Sequence, residues 1–600
     1  MCGIAGILRA DLLPTQGERQ LTTMLRALKH RGPDDEGLWQ NENGTVRFAH
    51  ARLSILDLSP AGHQPMSSAD GRFTITFNGE IYNFLELRAA LENDGVRFQT
   101  RTDTEVILQL YQTHGIDCVR HLRGMFAFAI WDERERSCFL ARGPFGIKPL
   151  YFVRQSGSFA FASEMQALQA AGLTGKALDP AAVAAYFASG SVPEPLTLLK
   201  DVSLLEAGHS LVWKDGAITC ARFWNIEFPT DIQPPRNAAA FTRTALLDSV
   251  EHHFVSDVPV GIFLSGGIDS TALLALSRTL GKTDLQTYSI GVNNASLDES
   301  SIARRTAAHF GAQHHELQLN DASGLETFGS FLESIDQPTI DGLNTFTVSR
   351  FARQHGAKVV LSGLGGDEIF GGYGTFQRVP FLWRCSRLLR AIPGGKAIFK
   401  TMLATGRLSS RLQRLAPLTE GPLTLGDAYR IFRGINSRSD ATKLAMHFTE
   451  ASADETKRSW PESAAKNMLD AMSELELAGY MRNQLLKDSD VMSMAHGLEL
   501  RVPFVDSALF AAVARIPASV RLRKGKQLLL DAVPEIPQWV RSQPKRGFLF
   551  PYAQWLGSPQ WKNLFADALK NIPVATPAWY QRWSVFVFEH WRQKHGIDAG

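Results

Sequence analysis

Cys2 stands second in the chain, at the head of "MCGIAGI". With the initiator methionine removed, one residue there carries both a thiol and a free α-amino group. The thiol has a reference pKa of about 8.5 and the amine about 7.7–8.0, so the amine can act as base for its own side chain and make Cys2 a nucleophile. With methionine retained, Cys2 is a buried cysteine and nothing more. A second chemical element is "VGIFLSGGIDST" (260–271), an apolar run, a glycine turn carrying Ser265 and Ser270, then a helical stretch. Its glycines let backbone N–H groups reach an anion, and the helix N-terminus adds positive charge. Asp269 puts a negative charge into that phosphate nest. A Mg²⁺ ion resolves the conflict, because it is held by one or two carboxylates together with phosphates. A third element, "VVLSGLGGDEIFGGY" (359–373), repeats strand, glycine turn and acid, and offers Asp367 as the second carboxylate. Ligands collect at such strand ends in parallel sheets. The one GKT triplet, 281–283, has Leu276 where a phosphate loop of the Walker type needs glycine, and is set aside.

These groups need elements to hold them. Residues 2–7 read as a buried strand with small residues for close backbone approach. The first half continues with short strands, among them "RFTITFNGEIY", "MFAFAIWD", "CFLAR", "PLYFV" and "SFAFAS", interrupted by helices near 20–29 and 84–93. Prolines mark a linker at 228–236. A helix over 239–253 then leads into the strands of "VGIFLSG", "LQTYSIG" and "KVVLSG", with helical segments between them. Strands alternating with helices predict a parallel α/β sheet, and beyond Tyr373 the chain turns mainly helical.

Six hundred residues exceed one core. Lys+Arg 63 against Asp+Glu 60 leaves a net charge of +3, so nothing global points to nucleic acid. Five scattered cysteines without CxxC spacing argue against a disulfide framework or a zinc site and suit a reducing cytoplasm. No signal peptide precedes Cys2, and no apolar run approaches the roughly 18 residues of a membrane span. Between Glu368 and Glu420 no acid occurs, while Arg378, Arg384, Arg387, Arg390, Lys396, Lys400, Arg407, Arg411 and Arg414 are basic. That run reads as a solvated helical face, with a polyanion or membrane surface as the alternative.

The stretches "MCGIAGI", "LKHRGPDDEG", "ARLSILDL", "FNGEIYNF", "RTDTEVIL", "FGIKPLYF", "LSGGIDST", "LSGLGGDEIFGGY", "DVMSMAHGLELRVPFVD" and "PKRGF", in this order, resemble glutamine-hydrolysing asparagine synthetases along nearly the whole chain. The resemblance implies an α+β N-terminal nucleophile hydrolase sandwich, the class II glutamine amidotransferase domain, over 1–212. A linker over 213–236 and an α/β parallel-sheet ATP-pyrophosphatase domain with a helical C-terminal part, over 237–600, follow. It implies that Cys2 attacks the glutamine side-chain amide, and that Asn78 and Gly79 form an oxyanion hole whose donors are worth about 2.7–4 kcal/mol each. Arg52 would pair with the glutamine α-carboxylate, and Glu80 and Asp103 would hold its ammonium. ATP would lie on Leu264, Ser265, Gly266, Gly267, Asp269, Ser270, Ile290, Ser362 and Gly363, with Mg²⁺ on Asp269 and Asp367 and Lys526 near the reacting phosphate. Asp490, Arg501 and Asp506 are expected near this second site, in structural roles. The implied partners are small molecules and a second copy of the chain in a homodimer.

Three positions depart from the family pattern. Leu364 replaces the usual acid of "SG-acid-G-x-D-E", a change that costs about 10²–10⁴ in rate if the acid does proton transfer. Gln337, in "IDQPTIDGLNTF", stands for an acid in a segment that shapes the acceptor pocket. Gly143 replaces an aspartate and is expected to be structural. Aspartate leads as acceptor, giving asparagine. The alternative is another carboxylate, in a secondary-metabolite or surface-polysaccharide pathway. Relatives that close β-lactams lack the nucleophilic cysteine, a phosphoribosyl-transferring amidotransferase would lack "LSGGIDS", and a non-catalytic binding protein would have lost site residues that stand here.

Overall fold

The computed structural model describes residues 2–9, 14–155, 157–229, 233–294, 297–391, 401, 424–457, 462–544, 547 and 550–597. The first strand, β1 (Gly3–Arg9), starts directly behind Cys2 and is buried almost throughout. It pairs antiparallel with β3 (Val46–Arg52) on one side and β9 (Ser158–Ala162) on the other. With β2 (Asp35–Gln40), β8 (Tyr151–Gln155) and β10 (Val202–Leu204) it makes a six-stranded sheet in the order β10-β8-β9-β1-β3-β2. A second six-stranded sheet runs β12-β11-β7-β6-β5-β4. Its strands are β4 (Met66–Ser67), β5 (Phe73–Ile81), β6 (Gly124–Asp132), β7 (Ser137–Arg142), β11 (His209–Lys214) and β12 (Ala217–Arg222).

Alternation along the strands sorts side chains between the layers. Ile4, Leu8, Phe48 and Phe161 of the first sheet interleave with Ala127, Ala129, Trp131 and Leu140 of the second. On the outer side of the first sheet, Ala5 and Ile7 meet Leu21, Met24 and Leu28 of the helix Pro14–Leu28. On the outer side of the second, Phe77, Phe126 and Phe128 lie under the helices Phe84–Asn93 and Asp103–His114. The first half is thus a four-layer αββα sandwich. Close approach explains the glycines of "CGIAGI": a Cβ on Gly6 would overlap the Phe161 ring.

The second half holds a five-stranded sheet, β15-β14-β13-β16-β17, with every neighbouring pair parallel. Its strands are β13 (Val260–Phe263), β14 (Gln286–Val292), β15 (Gln313–Leu319), β16 (Val359–Leu361) and β17 (Glu499–Arg501). The described chain after Tyr373 is mainly helical apart from β17. No described helix is long and apolar enough to cross a membrane.

One expectation needs correcting. Residues 213–222, expected as linker, carry the antiparallel ladder of β12 with β11, which pairs in turn with β7. The sandwich therefore continues through Arg222, because the exposed strand β12 caps the edge of its second sheet. The helix Asp103–His114 was not expected. Of the basic run, Arg378, Arg384 and Arg387 lie on the helix Thr375–Ala391; Lys396, Lys400, Arg407, Arg411 and Arg414 lie outside the described residues, as does most of "PKRGF".

Candidate active site

Strand geometry assembles the first site. The Cys2 backbone N–H donates to Asn78 Oδ1 at 3.0 Å, which leaves Asn78 Nδ2 buried and without a hydrogen-bond partner among the described residues. Gly79 follows with φ +155, and a Cβ there would overlap the Met125 carbonyl. Only glycine fits this backbone at so close an approach. The Cys2 carbonyl accepts from Arg31 Nε at 3.1 Å, and Ser163 Oγ accepts from the Ile4 N–H at 3.0 Å, so the chain start is pinned on both sides. Burial pushes the Cys2 thiol up, against the opposing effects of a Leu53 backbone hydrogen bond and the Arg52 charge.

Cys2, Arg52, Gly79, Glu80 and Asp103 line one cleft, together with Gly62, Gln64 and Thr104. Arg52 donates to the carbonyls of Ser59 at 3.1 Å, Leu56 at 3.3 Å and Asp57 at 2.5 Å. Three bonds fix the guanidinium and use part of its five-proton donor set. A Cβ on Gly62 would overlap Arg52 Nη2, so that glycine makes room for the guanidinium. Asp103 opens its helix behind the Thr102 cap and accepts from the Ile81 N–H at 3.0 Å, which sets it beside Glu80. Burial, then Asp103 and Glu499, push Glu80 well above the usual carboxylate range. Burial likewise raises Asp103 to about 6. Two buried acids held side by side make a cleft that favours an incoming cation.

The second site lies at the C-terminal ends of β13 and β16. After β13 the chain turns through Leu264, Ser265, Gly266 and Gly267 into the helix Ile268–Thr279. Gly266 has φ +77, and Ser265 Oγ and Ser270 Oγ stand 3.2 Å apart across the turn. The Leu264 N–H donates to the Tyr288 carbonyl at 2.9 Å, and Ile290 is buried further along the same strand, β14. After β16, Ser362 and Gly363 pass so close to the first loop that a Cβ on Gly363 would crowd Asp269. Lys526 Nζ joins the loops, bonded to Asp269 Oδ2 and lying 2.5 Å from Asp367 Oδ1. Burial works against its charge, yet the two carboxylates outweigh it and hold the ammonium above its ordinary range. A Cβ on Gly366 would overlap Asp269, and one on Gly372 would overlap Asp367. Two carboxylates from separate loops, aimed at one cation beside a helix N-terminus, are a donor set that fits Mg²⁺ shared with phosphates. Among the described residues no cluster of three or more His, Cys, Asp or Glu stands ready for a metal.

Residues 1–224 match the family profile of a glutamine amidotransferase domain, and residues 242–592 that of asparagine synthase. The chain belongs to the asparagine synthase family. Asparagine synthetase (glutamine-hydrolyzing) 1 of Bacillus subtilis (strain 168) is 34% identical over 583 residues, covering 95% of this chain and 90% of that one. Asparagine synthetase (glutamine-hydrolyzing) 3 of the same organism is 30% identical over 548 residues, covering 88% and 83%. Amidase chry2 of Gibberella zeae is 27% identical over 630 residues, covering 94% and 91%. Membership makes the chain an enzyme of the carbon–nitrogen ligase class that draws on glutamine.

Within this asparagine synthase frame several residues stand elsewhere than expected. Asp490, Arg501 and Asp506, expected near the second site in structural roles, turn charged side-chain atoms to the first half, although the Arg501 backbone adjoins Ser362. Asp490 binds Arg31 at 2.7 Å and Lys148 at 2.8 Å, all fully buried. Asp506 pairs with Arg123, and Arg501 Nη2 faces Glu80 Oε2 at 3.4 Å. The reason is position: the helix Lys487–Met494 and β17 form the wall of the second half on which the sandwich docks. Gln337 is committed in the same way, accepting from the Leu198 N–H and donating to Tyr151 Oη, both at 3.1 Å. Its amide ties the halves together instead of facing an acceptor. Leu364 is partly buried against the main apolar core. Gly143 accepts from the N–H groups of Gly146 and Gly208 at 3.0 Å each, in a turn packed on Phe126. Three residues carried no expectation: Arg31, Glu164, which accepts from Arg31 Nη1 at 2.7 Å, and Glu499, which accepts from Arg501 Nε at 2.5 Å. Arg31 and Glu499 lie inside the quoted stretches "LKHRGPDDEG" and "DVMSMAHGLELRVPFVD"; for Glu499 the signal was an acid between two leucines, and for Arg31, which follows Lys29 and His30, no local signal set it apart.

Proposed function

We propose that the chain is a glutamine-hydrolysing, ATP-dependent asparagine synthetase, with its glutaminase unit ending at the last strand of the sandwich. The observation that carries the reading is that one chain holds both constellations: Cys2 on Asn78, and Lys526 between Asp269 and Asp367. Arg52 takes the glutamine α-carboxylate; Glu80 and Asp103 take its ammonium. The α-amine of Cys2, freed by methionine removal, accepts the thiol proton, and the sulfur attacks the side-chain carbonyl. Asn78 Oδ1 holds that nitrogen while Asn78 Nδ2 and the Gly79 N–H receive the oxyanion. The C–N bond breaks, ammonia leaves with a proton, and water hydrolyses the thioester to glutamate.

At the second site the loop N–H groups, Ser265 and Ser270 receive the phosphates of ATP. Asp269 and Asp367 would hold Mg²⁺, which when bound screens phosphate charge. Lys526 takes up the negative charge that grows on the leaving pyrophosphate as an acceptor carboxylate attacks the α-phosphorus. Ammonia then attacks the acyl carbon and AMP departs. Ammonium dominates in neutral water and is not nucleophilic, so an enclosed route between the sites is part of the proposal.

Aspartate is the leading acceptor. The apolar packing of Leu364 favours a second reading, another carboxylate handled by the same chemistry. Purified protein with ATP, Mg²⁺ and glutamine, with and without aspartate, distinguishes them. Pyrophosphate and asparagine that appear together, in equal amounts and only with aspartate, are the expected result. Glutamate release without aspartate-dependent pyrophosphate rejects aspartate and calls for a panel of other carboxylates.

A further inference from the structure

The glutaminase cleft has one charged neighbour that comes from the other half of the chain. Leu361 of β16 pairs with Arg501 of β17, and one residue on the Ser362 N–H donates to the Arg501 carbonyl at 2.8 Å. The backbone of Arg501 is therefore part of the nucleotide sheet. Its side chain leaves that sheet. Nε donates to Glu499 Oε1 at 2.5 Å, and Nη1 donates to the carbonyls of His253 at 2.8 Å and Val255 at 2.7 Å. These bonds fix the plane of the guanidinium, and what remains is Nη2. It faces Glu80 Oε2 at 3.4 Å, with side chains 0% and 5% exposed. Neither atom has a hydrogen-bond partner among the described residues. Glu499 is the closer acid to the guanidinium, through Nε, and Nη2 is left facing Glu80.

We infer that Arg501 is a positioning residue for glutamine capture, which holds the carboxylate of Glu80 open toward the cleft from the synthetase half. The inference rests on the glutamine-binding role proposed for Glu80. Glu80 lies among acids: Asp103 in the cleft and Glu499 beneath it both disfavour its charge, and burial adds to them, while Arg501 opposes them. A full ion pair at about 2.8 Å would spend the carboxylate on Arg501. At 3.4 Å the guanidinium supplies field without taking the lone pairs, so the ammonium of glutamine can still claim them. A parallel contact reaches the nucleophile. Asp490, on the helix that leads into β17, grips Arg31 Nη2 at 2.7 Å, and Arg31 Nε holds the Cys2 carbonyl at 3.1 Å. Residues 490–501 thus support both the nucleophile and the ammonium site, and the cleft is complete only when the halves are docked.

The test uses the full-length enzyme and three variants: R501K, E80Q and the pair together. Glutamine-dependent and ammonium-dependent synthesis are measured for each. R501K is expected to raise the glutamine KM about tenfold or more, with kcat and ammonium-dependent synthesis within about threefold of wild type. E80Q is expected to raise the same KM, and R501K to add nothing further in that background. A KM unchanged by R501K, an equal rise in the E80Q background, or a parallel loss of ammonium-dependent synthesis each overturns the inference. An E80Q enzyme with normal glutamine KM removes the binding role of Glu80 and the inference with it, whereas an E80Q defect without an R501K defect overturns the inference alone. Should R501K not fold, E499Q/R501Q, which removes both partners of the 2.5 Å bond together, takes its place in the same cycle.

Discussion

The two sites solve the problem of buried acid in opposite ways. In the sandwich, Glu80 and Asp103 stand side by side, with only the Arg501 guanidinium facing Glu80 at 3.4 Å, and both are pushed up. At the parallel sheet, Asp269 and Asp367 share the resident ammonium of Lys526, which they hold above its ordinary range. In the proposed function the first pair receives a substrate that brings its own positive charge, and the second is neutralised in advance so that a polyanion can approach. The supports differ as well. The sandwich site is set on long antiparallel strands and walled by the other half. The nucleotide site is two short loops, at the ends of neighbouring strands, that touch through glycines.

The contrast can be tested one side at a time. Cys2→Ala removes the nucleophile and is expected to lower glutamine-dependent synthesis by about 10⁴ or more while ammonium still supports it; loss with both donors would contradict separate sites. Asp367→Asn acts in the other half. Pyrophosphate release is expected to fall about 10³-fold, as removed transition-state electrostatics typically cost, while glutamate release from glutamine persists. Asn78→Ala deletes the unpartnered Nδ2 donor, and a fall of about 10² in glutaminase kcat is expected. A change in KM alone would remove the oxyanion role.

Asp103→Asn gives the smallest effect and the most specific one. Glutamine KM is expected to rise about 10-fold or more, the scale of a lost charged hydrogen bond. In the wild type KM should also rise as pH falls through about 6, because the protonated acid no longer holds an ammonium; the variant should lack this dependence. Stability runs the other way. A carboxyl raised in the folded state contributes stability below its unfolded pKa, and this is lost as pH rises through about 6. Asp103→Asn should therefore raise Tm at pH 8, by about 2–4 °C, and leave it unchanged at pH 4. A lower Tm at pH 8 would mean that Asp103 is a structural anchor through its Ile81 bond.

Local order in the sequence was legible where one segment carries the whole feature. The helix Phe84–Asn93, the strand behind Cys2 and the turn 264–270 each follow from residues within a few positions of one another. The helix Asp103–His114 escaped because Val106, Ile107, Leu108 and Leu110 are all buried and mimic a strand. Its start signal was present in Thr102, whose hydroxyl accepts from the Glu105 N–H at 3.2 Å. Contacts between the halves were out of reach. Nothing local says that Arg501 meets Glu80, that Asp490 meets Arg31, or that Gln337 joins Tyr151. β17 is three residues long and takes its meaning only from pairing with β16. The roles of Gly366 and Gly372 likewise depend on Asp269 and Asp367 lying against them.

The proposed function requires that ammonia made at Cys2 be used at the nucleotide loops of the same chain. Amide-¹⁵N glutamine, supplied with ATP, Mg²⁺, acceptor and an excess of unlabelled ammonium, reads this directly through the mass of the amidated product. Label in the product well above its share of the free ammonia pool, with glutamate and pyrophosphate formed in equal amounts, is the predicted result. A product labelled only in proportion to the pool would mean that ammonia escapes before use, and that the two sites share a chain but not a reaction.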